Sequence, residues 1–385
     1  MKTNIYLDYA AATPMNSQVL EAMKPYFADR FYNPSATYLA ASKVKAEIES
    51  ARESIARWLG ARPANVVFTA GGTEANNLAL FGSTVNYPGS HIVATAIEHD
   101  SILKPLEHLK QQGWKCSLVE PRPDGVVSAE DIQKAITDQT TLVSVMYANN
   151  EIGTIQPIKQ IAAVVDQERQ KRQKSGNSLP IYFHTDACQA ANYLDLHVSR
   201  LGVDMMTLNG GKIYGPKQSG VLYARSEVEL RPIIHGGGQE NSIRSGTENV
   251  AGIVGFAIAL DIAQSTRHDE RKRLTELQSR FIKLTADKLP TAVINGSLKH
   301  RLPNNVHVTI PGADNERVVF ALDNAGIQCA AGSACSASKD LASHVLKALG
   351  LDETTARASL RFSMGRGTLE QDIVRTVSEL IKVVA

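Results

Sequence analysis

The sequence contains few cysteines, no large excess of either charge and no long hydrophobic run, and each shortage excludes a class of protein. Its 385 residues include 4 cysteines. None of them lies in a Cys-x-x-Cys pair, so we expect neither a disulfide framework nor a zinc site of that type. A formal net charge of +2 gives no electrostatic reason to expect direct binding to nucleic acid.

The longest apolar run, Val250 to Leu260, is far shorter than the roughly 20 residues that span a bilayer. The N-terminus also lacks the basic region and long apolar stretch of a secretory signal. We therefore expect no membrane partner and a cytoplasmic location. No Gly-x-Gly-x-x-Gly turn follows a predicted strand, which argues against an NAD-dependent dehydrogenase.

Short β-branched or aromatic runs alternate with longer helical patterns from about residue 15 to residue 260. This alternation predicts an α/β fold whose mostly parallel sheet is covered on both faces. Ligands of such sheets bind outside the carboxyl ends of the strands. The predicted strands are Asn65–Thr69, His91–Thr95, Lys115–Val119, Leu142–Met146, Ile181–Thr185, Met205–Leu208 and Gly220–Tyr223.

The pattern changes near residue 264, where a charged amphipathic stretch from Arg267 to Leu289 begins. Because the chain also exceeds the size of one typical core, we predict two domains. Residues 15–262 form the large one, and residues 1–14 with 263–385 form a smaller α+β domain. Its later elements are predicted as strands Ala292–Asn295, Asn305–Thr309 and Ala358–Phe362, a strand and loop at Ile327–Cys335, and helices Glu316–Asn324, Leu341–Leu349 and Leu369–Val384.

Lys212 follows a predicted strand and two glycines, and a turn with Gly215 and Pro216 closes the segment. A lysine presented at the end of a buried apolar strand is placed for chemistry, and lysine amines form Schiff bases with pyridoxal phosphate (PLP). The spacing alone leaves a surface lysine in a glycine turn equally open. A phosphate-binding Gly-Lys-Ser/Thr loop is excluded because Ile213 follows the lysine.

Two further strand ends offer groups that suit such a cofactor. After the first strand, Gly72 and Thr73 open a helix, and unpaired N–H groups there suit a phosphate; a plain capped helix is the alternative. Asp186 ends another strand, where a buried carboxylate needs a partner such as a pyridinium nitrogen or a structural arginine. Gln189 can hydrogen-bond a ring hydroxyl.

His99 and Asn150 extend the set at the same predicted edge. His99 opens a helix after a strand, where an imidazole can stack on a flat ring or move protons, although a lone histidine is more often a cap. Asn150 adds an amide. Near the C-terminus, Cys335 lies among small residues from Ala330 to Ser338, a composition that predicts a mobile loop with a nucleophilic thiol.

Together these motifs resemble the cysteine desulfurases of the NifS/IscS type, a class V aminotransferase-like branch of fold-type I PLP enzymes. The resemblance runs nearly end to end and implies the aspartate aminotransferase-like fold, with a seven-stranded sheet. Its motifs are Tyr6–Pro14, Asn33-Pro34-Ser35, Gly72–Asn77, Asn149–Gly153, Asp186–Gln189, Lys212–Lys217, Gly236–Glu240, Arg244–Thr247 and Gly332–Cys335.

The resemblance implies a role for each of these residues. Lys212 would hold PLP, with Asp186 at the ring nitrogen, Gln189 at the ring oxygen and His99 stacked on the ring as a proton shuttle. Thr247 would reach the phosphate of the other subunit of a homodimer. The remaining cofactor residues would be Gly72, Thr73, Asn150, Asn209 and Gly211.

The resemblance also implies the substrate and the partners. L-cysteine would be bound through Arg361 and Asn150, with Asn33 nearby. Cys335 would attack the substrate sulfur, releasing alanine and leaving a persulfide. Acceptor proteins, an iron–sulfur scaffold or a tRNA-thiolation relay, would then take the sulfur. No resident metal is expected, and a transient cluster contact by Cys335 stays open.

The chain departs from the family pattern at three positions. Asn209 and Gly211 replace a serine and a histidine that contact the phosphate in relatives, and Tyr38 replaces another histidine. Each lost hydrogen bond to a charged group is worth roughly 1.5–3 kcal/mol, so we expect weaker retention of PLP. The alternatives are a selenocysteine lyase and a catalytically weak homologue that serves as a binding partner.

Overall fold

A seven-stranded sheet forms the centre of the structure, a computed structural model that describes residues 4–332 and 342–384. The sheet uses β2 to β8 and confirms the predicted mostly parallel α/β architecture. The strands are β1 (Ile5–Tyr6), β2 (Val66–Thr69), β3 (His91–Thr95), β4 (Lys115–Val119), β5 (Thr140–Ser144), β6 (Tyr182–Asp186), β7 (Met205–Asn209), β8 (Gly220–Ala224), β9 (Val293–Ile294), β10 (Asn305–Thr309), β11 (Ile327–Gln328) and β12 (Ser359–Ser363).

The strand order in this sheet is β2-β8-β7-β6-β5-β3-β4. Strands β3 to β7 are parallel to one another, and β8 is antiparallel to both β2 and β7. The chain order reverses between β3 and β5, and open α/β sheets bind ligands in the crevice at such a point. The topology thus places a ligand crevice at the carboxyl ends of these strands.

Helices cover both faces of the sheet, because successive strand residues alternate between two apolar clusters. Ile92 and Leu142 belong to one cluster, whereas Val93 and Val143 belong to the other. The helices are α1 (Ser17–Met23), α2 (Pro25–Ala28), α3 (Leu39–Leu59), α4 (Gly72–Thr84), α5 (Asp100–Gln111), α6 (Ala129–Ala135), α7 (Ile158–Ser175), α8 (Val198–Leu201), α9 (Val250–Lys288), α10 (Asn315–Asn324), α11 (His344–Ala348), α12 (Glu353–Arg357) and α13 (Glu370–Val384).

The predicted strand Leu142–Met146 lies two residues too late, since β5 spans Thr140–Ser144. Just after β5, the N–H of Met146 donates to the Glu98 carboxylate at 2.8 Å and leaves the ladder. The short helix α12 was not predicted, because five residues give too little periodicity to recognise.

Beyond the large sheet, the chain forms a three-stranded antiparallel sheet ordered β12-β10-β9 and a parallel pair β1-β11. The pairing of β1 with β11 brings the N-terminus onto the C-terminal half, as expected. The proposed boundary at residues 262 and 263 falls inside the continuous helix α9. The division into two domains therefore stays a prediction.

Helix α9 contains the apolar run Val250 to Leu260 but continues far beyond it. Among the described residues it is the one helix long and apolar enough to cross a membrane by length and composition alone. The sequence argument counted only the uninterrupted apolar run and therefore missed this helix. In the structure 56% of the apolar window is buried, and core helices of soluble proteins pass the same test.

Candidate active site

A cavity of about 150 Å³ lies where the carboxyl ends of β2, β3, β5, β6 and β7 meet. Its wall also includes a residue of β12, so two sheets contribute to it. This position matches the crevice expected from the strand order. The predicted site residues that line the cavity are Gly72, Thr73, His99, Asn150, Asp186, Gln189, Asn209, Lys212 and Arg361.

Asp186 ends β6 and holds a buried carboxylate at the cavity wall. Its Oδ1 accepts a hydrogen bond from the Cys188 N–H at 2.9 Å, and its Oδ2 accepts one from Asn76 Nδ2 at 2.7 Å. These two neutral donors fix the orientation of the carboxylate. Its partner is therefore an asparagine, where the sequence left a structural arginine open.

Asn76 is a site residue that sequence reasoning missed. It lies on α4, one turn after Gly72, and its side chain is almost fully buried. Asparagine is a weak helix former, so one on the inner side of a helix was the available signal. The Asn76 Nδ2 also donates to Ser101 Oγ at 2.8 Å, which connects Asp186 to the His99 region.

His99 is both the N-cap of α5 and part of the cavity wall. The backbone N–H of Ser101 donates to His99 Nδ1 at 3.0 Å, and Ser101 Oγ lies 2.8 Å from the same atom. An N–H can only donate, so Nδ1 is an acceptor. The neutral ring therefore carries its proton on Nε2, and the cap leaves that nitrogen available for a ligand.

Lys212 sits in a 3-10 turn directly after β7. The turn needs glycine at position 210, because a Cβ there would lie 2.1 Å from Ser219 Oγ. The Lys212 Nζ donates to the carbonyl oxygens of Ala10 at 2.9 Å and Ala11 at 2.5 Å. Two N-terminal residues therefore border the amine.

Gln189 lies beside the amine of Lys212, because both side chains bind the same acceptor. Its Nε2 donates to the Ala10 carbonyl at 3.0 Å. The sequence predicted Gln189 as a ligand of a ring oxygen, and this contact shows that its amide reaches the cavity floor. The role of the Ala10 carbonyl had no local signal in the sequence.

The start of α4 forms the side of the site that is predicted to bind an anion, called here the anion-binding side. Gly71, with φ of 139°, precedes Gly72 at the first helical position. Asn209 Oδ1 accepts a hydrogen bond from Gly211 N–H at 3.0 Å. The amide nitrogen of Asn209 therefore points the other way, and a Cβ on Gly72 would lie 3.4 Å from it. Gly211 lines an adjoining cavity together with Gly72, Thr73 and Asn209.

The chemistry of these donors fits PLP. Helix N–H groups, a hydroxyl and an amide suit a phosphate, a buried carboxylate suits a protonated ring nitrogen, and a lysine amine suits Schiff-base formation. The described residues contain no group of three or more His, Cys, Asp or Glu able to hold a metal ion.

Arg361 lies in the middle of β12 and is 1% exposed. Its Nη1 donates to the Asn150 carbonyl at 3.0 Å, and its Nη2 donates to Asp8 Oδ1 at 2.7 Å. Its main chain pairs with Ala330, with N–O distances of 2.7 and 3.1 Å. The guanidinium is thus held at the cavity by the N-terminal segment and by the loop after β5.

Comparison with known proteins agrees with this geometry. The family model "Aminotransferase class-V" matches residues 5–375, nearly the whole chain. The chain belongs to the class-V aminotransferase family. This confirms the family inferred from the motifs.

Relatives of this class-V protein are similar over their full lengths. A cysteine desulfurase IscS of Dictyoglomus turgidum is 39% identical, covering 100% of this chain and 95% of the relative. A solved NifS-like protein superposes with a TM-score of 0.90 at 30% identity, covering 99% of both chains. A structure described as SspA in complex with cysteine has a TM-score of 0.81 and 36% identity, covering 94% of this chain and 98% of the other.

Apart from Gly211 in the adjoining cavity, three predicted site residues of this class-V protein line neither cavity or lie outside the described residues. Asn33 is exposed, and its Oδ1 accepts from the Ser35 N–H of its own turn at 2.9 Å. Thr247 is exposed as well, so its predicted contact with a second subunit stays a prediction. Cys335 lies outside the described residues.

Proposed function

We propose that the chain is a PLP-dependent cysteine desulfurase that removes sulfur from L-cysteine and releases L-alanine. The observation that carries this proposal is the meeting of Lys212, Asp186 and His99 at one cavity, from three different strand ends. The similarity to cysteine desulfurases over the whole chain supports the same reaction.

PLP, when bound, supplies an electron sink that makes the substrate's bonds next to nitrogen easier to break. Lys212 holds the cofactor through its amine. Asp186 keeps a proton on the ring nitrogen, and its orientation is set by Asn76. Gln189 bonds the ring oxygen, while Gly72, Thr73 and Asn209 bind the phosphate.

Arg361 and Asn150 bind the substrate carboxylate. A guanidinium gives paired, charge-assisted hydrogen bonds to a carboxylate. In the structure Asp8 is the carboxylate partner of Arg361, at 2.7 Å. The substrate therefore shares or replaces this contact, and His99 moves protons through its Nε2.

Cys335 is the proposed nucleophile because the motif Gly332–Cys335 resembles that of the cysteine desulfurases. Burial raises the pKa of Cys116 to about 11 and that of Cys329 to about 12. Burial also raises the pKa of Cys188 well above its ordinary value. Burial thus disfavours the thiolate, which is the reactive form, at these three described thiols.

In the sulfur-transfer step, the Cys335 thiolate attacks the substrate sulfur and a new S–S bond forms. The Cβ–S bond of the substrate breaks, its electron pair stays on carbon, and a proton completes alanine. The cysteine becomes a persulfide. Proposed acceptors are an iron–sulfur scaffold or a tRNA-thiolation relay, and we further propose a cytoplasmic homodimer in which Thr247 reaches the neighbouring phosphate.

The test compares the visible spectrum and the products of the wild-type protein with those of Lys212→Ala and Cys335→Ala. Wild type should be yellow, change colour with L-cysteine, and release alanine and, under reductant, sulfide in equal amounts. Lys212→Ala should lose all of these, whereas Cys335→Ala should keep the colour change and lose the products.

Two results would overturn the proposal. A wild-type protein that stays colourless and inert after PLP is added would favour a binding-partner role. Activity of Cys335→Ala on selenocysteine, without activity of the wild type on cysteine, would favour a selenocysteine lyase.

A further inference from the structure

Residue 211, on the anion-binding side of the cavity, is a glycine and has no charged side chain. The stem of Lys217 lies beside it. Lys217 lines the same cavity as Gly72, Thr73 and Gly211. A Cβ built on Gly211 would lie 3.7 Å from Lys217 Cγ and 3.9 Å from Lys217 Cα. A side chain at 211 and the stem of Lys217 would therefore border the same space.

The backbone around Lys217 is held firmly against the lysine turn. Ser219 Oγ donates to the Pro216 carbonyl at 2.7 Å, and the Gly210 N–H donates to the Ser219 carbonyl at 2.9 Å. Gln218 has a φ of 58°, in the left-handed region that costs a non-glycine residue free energy. This fixed turn places the Lys217 Cα beside Gly211, while its side chain is exposed.

The acidic group on this cavity does not compete for Lys217. Glu74 lines the same wall, but its Oε1 accepts from Arg244 Nε at 2.9 Å and its Oε2 accepts from the Ala70 N–H at 3.0 Å. Its charge is thus already balanced. The Lys217 ammonium, the N-terminus of α4 and the Thr73 hydroxyl all border this cavity. Together these three groups favour a bound anion.

We propose that Lys217 binds the phosphate of PLP and supplies the positive charge that residue 211 does not provide. This inference rests on the proposed function, because PLP is the ligand concerned. A lysine brings a mobile point charge with three donors, where a histidine brings a fixed ring. Lys217 is therefore a cofactor-binding residue, and its charge replaces the one that a side chain at position 211 would supply.

The test is a double-mutant cycle on the full-length protein, with PLP affinity measured by equilibrium dialysis of the cofactor-free form. Lys217→Ala should weaken PLP binding about tenfold or more, the usual loss for a hydrogen bond to a charged group. Lys217→Arg should keep most of the affinity. Gly211→His should restore binding in the Lys217→Ala background, because the two side chains replace each other.

Two controls separate a phosphate contact from a general structural effect. Pyridoxal, which has no phosphate, should bind wild type and Lys217→Ala equally. Lys159→Ala, at an exposed lysine on α7, should leave PLP affinity unchanged. Equal losses for pyridoxal and PLP, or a Lys217→Ala affinity equal to wild type, would overturn the inference.

PLP binding by the wild type decides which of the two proposals a negative result rejects. If the wild type binds no PLP, the proposed function fails, and inorganic phosphate then serves as the probe. Stabilisation of the wild type by inorganic phosphate in thermal unfolding, reduced in Lys217→Ala, supports the lysine contact. Equal stabilisation of the two proteins rejects it.

Discussion

The amide of Asn76 donates a hydrogen bond to the carboxylate of Asp186 across 2.7 Å. The same nitrogen binds Ser101, which in turn binds His99. One asparagine therefore links the carboxylate proposed for the ring nitrogen to the proposed proton shuttle.

Asn76→Ala should lower both stability and PLP affinity, because it leaves a buried carboxylate oxygen without its donor. We expect a loss of about 1–3 kcal/mol in the free energy of unfolding, measured by urea denaturation. Asn77→Ala is the matched control for stability, since Asn77 is the half-buried neighbour whose amide bonds the Thr73 carbonyl. Equal behaviour of the two variants would contradict this account.

Arg361→Lys should raise KM for L-cysteine at least about tenfold, because a lysine cannot reproduce the two donors that the guanidinium presents. The buried guanidinium contacts Asp8 and the Asn150 carbonyl. Steady-state kinetics give the measurement. Arg357→Lys, at a half-exposed arginine paired with Glu353, is the control. A KM unchanged by Arg361→Lys would remove this arginine from substrate binding.

The third prediction concerns pH. Burial raises the pKa of Glu98 to about 8, from an ordinary value of 4.5. Between these values the folded protein keeps a proton that the unfolded chain has lost. The contribution of this retained proton to the free energy of unfolding is complete below pH 4.5. It is lost as the pH rises to about 8, with a slope of at most about 1.4 kcal/mol per pH unit.

Glu98→Gln removes this titration and keeps the acceptor that bonds Thr95 and Met146. Its unfolding free energy should therefore increase relative to wild type as pH rises from the lower pKa to the upper one. Urea denaturation across that range measures the difference. Glu107→Gln, at an exposed carboxylate of α5, is the control. A constant difference between Glu98→Gln and wild type would show that Glu98 is ionised throughout.

Gly72→Ala should destabilise the start of α4, because a Cβ there would lie 2.8 Å from Cys188 Sγ. Overpacking of this kind costs about 1–3 kcal/mol. Cys188→Ala removes the opposing sulfur, so the double variant should be more stable than the sum of the single effects implies. Strict additivity in denaturation experiments would mean that the two positions do not meet.

Much of the fold followed from the sequence, because most strands of the large sheet are short, mainly apolar runs that end at a polar residue, as β2, β3, β5, β6 and β7 do. Those ends are also where Asp186, His99 and Lys212 lie, so the cavity was predictable from strand order and chemistry together. The exception at β5 arose because Val145 and Met146 are apolar, although the Met146 N–H donates to the Glu98 side chain and not to a neighbouring strand.

Other features had no local signal. Asp8 and Arg361 are 353 residues apart in the chain, and only the folded structure brings them together. The contact of Lys212 with the Ala10 carbonyl depends on the same N-terminal segment. Helix α9 was divided in two because its apolar first part and charged second part differ in composition, although the helix does not break.

Because α9 is one uninterrupted helix, it fixes the rotation of the residues that follow it relative to the residues that precede it. Along its 39 residues it packs on α3 and on α13. Each residue of a helix adds about 1.5 Å and turns the chain by about 100°. A single insertion in its middle would therefore rotate the residues after the helix, including Arg361, relative to the residues before it, including Lys212. A change of length should disturb the site more than a substitution at an exposed position of this helix.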